Sequence, residues 1–275
     1  MKKLLSILFA CLLVVGLTAC GSKGETKTDE KKITVAASPV PHAVILEKAG
    51  EILKEQGWTL EVKEFEDYVQ PIEVVESGDI DCNYFAHTPY LNNYNAEKGT
   101  TQTVVAGIHY EPYGIYPGTR ASLADLQDGD EILVPNDGTN ETRALLLLQD
   151  NGIITLPEGT DVFSLVTALD ATPTGAKVVI KEVEAAQISR LRDQAAVVVL
   201  NGNYALAAGL SVAKDSIAYE TSTSNAAETY VNVISVKAGN ENNEGVKALC
   251  DVLQSQAIVD FINETYDGSV IPFVK

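Results

Sequence analysis

Methionine is almost missing. Met1 is the only one in 275 residues, so the chain beyond its first position has none. Histidine is scarce too, limited to His42, His87 and His109, and arginine occurs four times. Of the four cysteines, Cys11 lies inside an apolar N-terminal run and Cys20 at its end, which leaves Cys82 and Cys250. These two match no metal-ligand spacing, so no metal is expected on cysteine. Two separate buried thiols are expected, a single bridge being the alternative. Lysine and arginine together number 20 against 38 acidic residues, a net charge of −18. A surface of that sign repels nucleic acid and anionic lipid, and without a basic patch neither is expected to bind it directly. No phosphate-binding loop, nucleophile elbow or His-Glu-x-x-His helix is present, so neither an enzyme nor a cofactor is expected.

What is present begins with Met1-Lys2-Lys3 and the apolar stretch from Leu4 to Leu17, closing on Leu17-Thr18-Ala19-Cys20. The run is marginal for a bilayer span, and its small-residue ending marks residues 1–19 as an export signal. A Leu-x-Ala-Cys ending also predicts acylation of Cys20, by chains such as palmitate, as a membrane anchor. Loss of residues 1–19, which hold two lysines and no acid, takes the net charge from −18 to −20. Residues 20–31 are small, polar and charged, and read as a flexible tether. A lipid-anchored protein on the extracytoplasmic face of a bacterial membrane is the expectation.

From about residue 32 onward, strand and helix patterns alternate. Ile33 to Ala37 reads as a strand and His42 to Gln56 as a helix. Ala195 to Leu200 is an unbroken apolar run of the kind buried on both faces. The rhythm predicts an α/β fold with mostly parallel sheets. Its length suits two lobes, residues 32–111 with 231–275 and residues 112–230, joined near Tyr110-Glu111-Pro112 and Glu228-Thr229-Tyr230. The class predicted is a two-lobed periplasmic-binding-protein-like fold, type II-like, with a ligand in the interlobe cleft.

Half of the 18 aromatic residues fall between Phe65 and Tyr116. At their centre is Asp81-Cys82-Asn83-Tyr84-Phe85-Ala86-His87-Thr88-Pro89-Tyr90-Leu91, a strand running into a helix with Thr88 expected as N-cap. Flat apolar rings with hydroxyl handles suit the wall of a small-molecule pocket. Two later strand-to-helix junctions are polar. In Pro135-Asn136-Asp137-Gly138-Thr139-Asn140, Asn140 is the expected cap, which places Arg143 in the first turn, where an anion is favoured. A surface pairing of Arg143 with Glu141 or Asp150 is the competing reading. Asn201-Gly202-Asn203-Tyr204 follows the buried strand and offers uncharged donors and acceptors. Both junctions lie at carboxyl ends of strands, where ligands gather in open α/β sheets.

These segments, with Ser38-Pro39-Val40-Pro41-His42, Asp67-Tyr68, His109-Tyr110-Glu111-Pro112 and Tyr230-Val231-Asn232, occur in an order that resembles the NlpA-type lipoproteins. That family is the methionine-binding component of bacterial ABC importers. The resemblance implies capture of methionine, L- with D- as a variant, and delivery to a permease and ATPase complex. It implies that Arg143 holds the ligand carboxylate and that Asn140, Asn201 and Asn232 bond its head group. Tyr68, Phe85, His87 and Tyr90 would enclose the thioether, a polarizable group that packs well against ring edges. Arg143→Ala is expected to cost more than tenfold in affinity with an unchanged melting temperature, and His42→Ala to leave binding nearly unaltered. A methionyl dipeptide or a related amino acid is the alternative ligand. A zinc-binding protein using His42, His87 and His109, helped by Glu111, is a further alternative of unrelated class.

Overall fold

The computed structural model describes residues 31–221 and 225–274. The export signal, most of the tether and Cys20 lie outside the described residues. In chain order the elements begin with β1 (Lys31–Ala37), α1 (Val44–Glu55), β2 (Trp58–Glu64), α2 (Gln70–Glu76), β3 (Cys82–His87), α3 (Thr88–Lys98) and β4 (Gln102–Tyr110). They continue with β5 (Gly114–Pro117), β6 (Glu131–Pro135), α4 (Gly138–Asp150), β7 (Ile154–Thr155), β8 (Thr172–Pro173), β9 (Val179–Val183), α5 (Ala185–Leu191), β10 (Val197–Leu200) and α6 (Gly202–Ala207). The last are α7 (Val212–Asp215), β11 (Ala218–Tyr219), α8 (Asn225–Thr229), β12 (Asn232–Lys237), α9 (Glu244–Leu253), α10 (Gln256–Tyr266) and β13 (Ile271–Pro272).

Helix α1 shows how patterning becomes packing. Ile45, Leu46, Ala49 and Leu53 recur at helical spacing and are all buried. They meet Ile33 and Val35 of β1 and the apolar face of α9 in one core that also takes in Tyr84, Cys82 and Cys250. Both cysteines are free thiols, and burial pushes Cys250 up to about 12 and Cys82 well above the usual thiol range. The six-stranded sheet above this core has the order β13-β4-β12-β3-β1-β2. The five-stranded sheet has the order β11-β5-β10-β6-β9. Its central strand β10 sends Val197 and Val199 into one core with α4 and Val198 and Leu200 into another with Ile188 and Ala205. An unbroken apolar strand is therefore required, because alternate side chains meet helices on opposite faces.

The sheets are mixed rather than mostly parallel. In the first, β1 runs parallel to β2 and β3, while β12 is antiparallel to both β3 and β4. In the second, β10 is parallel to β6 and antiparallel to β5. The reason is the route of the chain: it leaves the first sheet at β4 and later returns as β12, inserted between β3 and β4. No helical crossover joins those neighbours, so nothing imposes a parallel pairing. Asn232, at the start of the returning strand, faces His87 on β3 and His109 on β4 across the ladders.

Where β5 ends, Gly118 turns against the backbone before β10. A Cβ there would lie 2.3 Å from the Ala195 carbonyl oxygen and 2.4 Å from that of Arg192. Backbone cannot yield as a flexible side chain does, so Gly118→Ala should destabilise by about 2–3 kcal/mol. A melting temperature lowered by roughly 5–10 °C in calorimetry is the expected result. An unchanged melting temperature would show that this approach is not as tight as described.

Candidate functional site

The eight residues singled out from the sequence line one cavity: Tyr68, Phe85, His87, Tyr90, Asn140, Arg143, Asn201 and Asn232. The enclosed space among them is small. Ala86, Glu111, Gly202 and Asn203 complete the lining.

The aromatic wall is built by β3 and α3. Strand β3 is buried along its whole length and delivers Phe85 and His87 to the cavity edge. His87, not Thr88, caps α3: its Nδ1 accepts from the Tyr90 backbone N–H at 3.1 Å. That contact forces the ring proton onto Nε2, which donates to Asn140 Oδ1 at 3.0 Å. Tyr68 packs against Phe85, Tyr90 and Tyr204, with ring centroids 5.8, 5.6 and 5.1 Å away. Its hydroxyl donates to Asn203 Oδ1 at 2.6 Å, and the Tyr90 hydroxyl donates to the Tyr68 carbonyl. The Tyr68 and Tyr90 hydroxyls thus have partners, and the ring faces remain for an apolar group.

The polar wall comes from the two βα junctions. Asp137, not Asn140, is the N-cap of α4, accepting from the Asn140 backbone N–H at 3.0 Å. The Asn140 side-chain amide nitrogen also donates to Asp137, 2.9 and 3.0 Å from its two carboxylate oxygens. Asn140 Oδ1 accepts from His87 and, at 2.9 Å, from Asn201 Nδ2. The Asn140 amide is therefore a junction between β3 and the turn after β10.

Arg143 is buried, against the reading of a surface pair with Glu141 or Asp150. Its guanidinium carbon lies 4.1, 4.6 and 5.7 Å from the ring centroids of Tyr230, Tyr113 and Tyr110. Glu220 meets it side-on, Oε1 accepting from Nε at 2.9 Å and Oε2 from Nη2 at 2.6 Å. Nη2 also donates to the Glu111 carbonyl at 2.9 Å. Burial alone would weaken the charge, but the Glu220 carboxylate more than offsets it and holds Arg143 firmly protonated. Nη1 has no hydrogen-bond partner among the described residues, so that edge of the fork is left for an anion.

Sequence reasoning missed Glu220 as a partner of Arg143, and placed Glu111 only at a chain crossing and beside a metal. Glu111 borders the cavity, with Oε1 accepting from His109 Nε2 at 2.8 Å. Burial raises its carboxyl above the ordinary carboxylate range, while neighbouring His42 and Arg143 pull it back. The His-Tyr-Glu-Pro segment was the available signal; Glu220 lies in a stretch with no local pattern. The three histidines do not form one set. His87 is committed to Tyr90 and Asn140, whereas the ligand atoms of His42, His109 and Glu111 lie within 4.8 Å of one another. His42 is not merely a helix start: it is buried, and its Nε2 is 2.9 Å from Asn232 Oδ1.

Burial, and secondarily the charge of Arg143, lowers His87 to about 3. The folded ring stays neutral while the unfolded one takes up a proton below about pH 6.5, so stability is lost as pH falls from there toward 3. His87→Asn keeps an oxygen to cap α3 and removes the titration. Urea unfolding should show wild type losing on the order of 2–3 kcal/mol relative to this variant between pH 7 and 4.5. Parallel pH profiles would contradict a buried neutral His87.

Comparison with known proteins agrees with this geometry. The sequence profile of the NlpA lipoprotein family matches residues 33–274. The methionine-binding lipoprotein MetQ of Bacillus subtilis is 39% identical over 282 residues, covering 99% of each chain. A solved putative lipoprotein from Ruminococcus gnavus is 58% identical with a TM-score of 0.86, covering 88% of this chain and 99% of its own. A nutrient binding protein from Burkholderia cenocepacia, solved bound to methionine, is 37% identical with a TM-score of 0.83, covering 87% of this chain and 99% of its own. With the family profile spanning nearly all of the described residues, and a two-lobed α/β binding-protein fold beneath it, this chain belongs to the NlpA lipoprotein family.

Proposed function

We propose that the chain captures methionine and delivers it to an ABC importer from the extracytoplasmic side of the membrane, where a lipid on Cys20 anchors it. The observation that carries this reading is one small cavity in which an aromatic box adjoins the open edge of a guanidinium. The ligand carboxylate would meet Arg143 Nη1, and the ammonium the Glu111 carboxyl and the carboxamides of Asn201, Asn203 and Asn232. The thioether would lie among Tyr68, Phe85 and Tyr90, where a polarizable sulfur gains from ring edges. Asn140 and His87 would border the ligand chiefly as the strut that spaces these walls.

The related protein solved with methionine supports the choice of ligand. A permease and ATPase complex is the partner the family role implies. Among the described residues no helix is long and apolar enough to cross a membrane, so attachment would rest on the N-terminal segment. Residues 32–111 with 231–275 would form one lobe and residues 112–230 the other. The crossings at 110–112 and 228–230 would act as the hinge, which the re-entry of β12 beside β4 supports.

Isothermal titration with L-methionine, D-methionine, norleucine and a methionyl dipeptide tests the ligand. L-methionine should bind in the micromolar range or tighter and the dipeptide at least about tenfold more weakly, given the small cavity. Tighter binding of the dipeptide would replace this reading with a peptide carrier. Arg143→Ala should weaken L-methionine binding by more than about tenfold. It should also lower the melting temperature of the ligand-free protein, because Glu220 loses its buried counter-charge. That differs from the unchanged melting temperature expected from the sequence, which offered no buried partner for Arg143. Equal affinity in the variant would remove Arg143 from the site.

A further inference from the structure

Behind the cavity lies a group of buried polar side chains that no ligand contact explains. His42, in the turn before α1, packs between Tyr84 and His109, with ring centroids 4.7 and 5.0 Å away. His109 Nδ1 meets the Tyr84 hydroxyl, and its Nε2 meets Glu111 Oε1. One proton arrangement satisfies these contacts: Tyr84 donates to His109 Nδ1, and His109 donates from Nε2 to Glu111. The Nε2 of His42 faces two acceptors, Asn232 Oδ1 at 2.9 Å and Glu111 Oε1 at 3.5 Å, so it carries the proton and donates. Burial holds both rings neutral, His42 at about 4 and His109 at about 3.

Two details single out His42. Its Nδ1 is buried with no well-formed hydrogen bond, the Val40 backbone offering at most a marginal one, which costs free energy that an apolar side chain of similar size would not incur. Packing alone therefore does not call for histidine here; the Nε2 donor does. The second detail is the backbone around Asn232. The register of β12 slips beside this residue against both β3 and β4, so the regular ladder is interrupted there. Its Oδ1 is taken by His42, and its Nδ2 has no partner among the described residues while the residue borders the cavity.

We propose that His42 is a positioning residue for ligand binding: by donating to Asn232 Oδ1 it locks the carboxamide so that Nδ2 is presented to the cavity. The proposal rests on the methionine-binding reading above. It assigns His42 no contact with ligand and makes the Tyr84–His109–Glu111 chain the wall that keeps the imidazole in place.

The test uses the purified protein and His42→Leu, which fills the volume without a donor, and His42→Gln, which restores an N–H. L-methionine affinity should fall about tenfold in His42→Leu and recover to within about threefold of wild type in His42→Gln. In an Asn232→Ala background, His42→Leu should cost less than about twofold more, since its effect passes through that amide. A readout free of ligand is the nitrogen-15 spectrum of the unliganded protein. The Asn232 side-chain amide pair should be resolved and protected from exchange in wild type and in His42→Gln, and lose protection in His42→Leu. Failure of wild type to bind L-methionine, with this spectral response intact, would strike the functional reading and spare the positioning of Asn232. Unchanged affinity in His42→Leu, an equal loss in the Asn232→Ala background, or an unaltered amide signal would each overturn the proposal. Saturable uptake of zinc ion alone, abolished by His109→Ala, would overturn it in favour of a metal site.

Discussion

A guanidinium enclosed by three tyrosine rings can remain charged only if something compensates for the water it has lost. Glu220 provides that compensation, and much of the site follows from it. Arg143 comes from α4, Glu220 from just beyond β11, and the carbonyl that takes a further donor from Glu111. Glu220 also accepts from the Tyr110 hydroxyl and the Tyr113 backbone N–H. One carboxylate thus gathers a helix, a strand end and the chain crossing into a fixed arrangement. The pair engages Nε and Nη2 and so sets the orientation of the arginine fork as well as its charge.

A second set of contacts fixes the width of the cavity. His87, on the six-stranded sheet, reaches Asn140, which in turn holds Asn201 after β10 of the five-stranded sheet. On the aromatic side the Tyr68 hydroxyl bonds Asn203, and the Tyr204 hydroxyl bonds the Glu66 carbonyl. Three of these four bonds join a residue of the first sheet's segments to one of the second's; the Asn140–Asn201 bond lies within the second. Polar groups that sequence reasoning would aim at a ligand are in several cases spent holding the walls apart. Asn140 is the clearest instance: its carboxamide oxygen bonds both His87 and Asn201, and its nitrogen bonds Asp137.

Much of the architecture was legible in the chain. The period of α1, the continuous apolar run of β10 and the aromatic density around β3 each followed from local patterns that packing then reinforced. The helix starts were harder. Thr88 and Asn140 are good capping residues by type, yet His87 and Asp137 take those roles, because the chain enters α3 one residue and α4 three residues earlier than composition suggests. Mostly parallel sheets were the wrong expectation for a related reason: alternating strands and helices say nothing about a strand that returns from a distant segment to be inserted mid-sheet.

The amino-acid sequence by itself determined which stretches are strands or helices, where the polar turns fall, and which ring-bearing residues are available to line a pocket. Those properties depend on neighbours a few residues away. The tertiary structure alone decided who partners whom. Arg143 and Glu220 are 77 positions apart, and His42 and Asn232 are 190 apart. No local periodicity encodes such pairs, since they form only once both sheets are packed and β12 has re-entered between β3 and β4. That is why a surface pair remained a competing reading for Arg143, and His42 looked like a mere helix start, until the fold brought their partners to them.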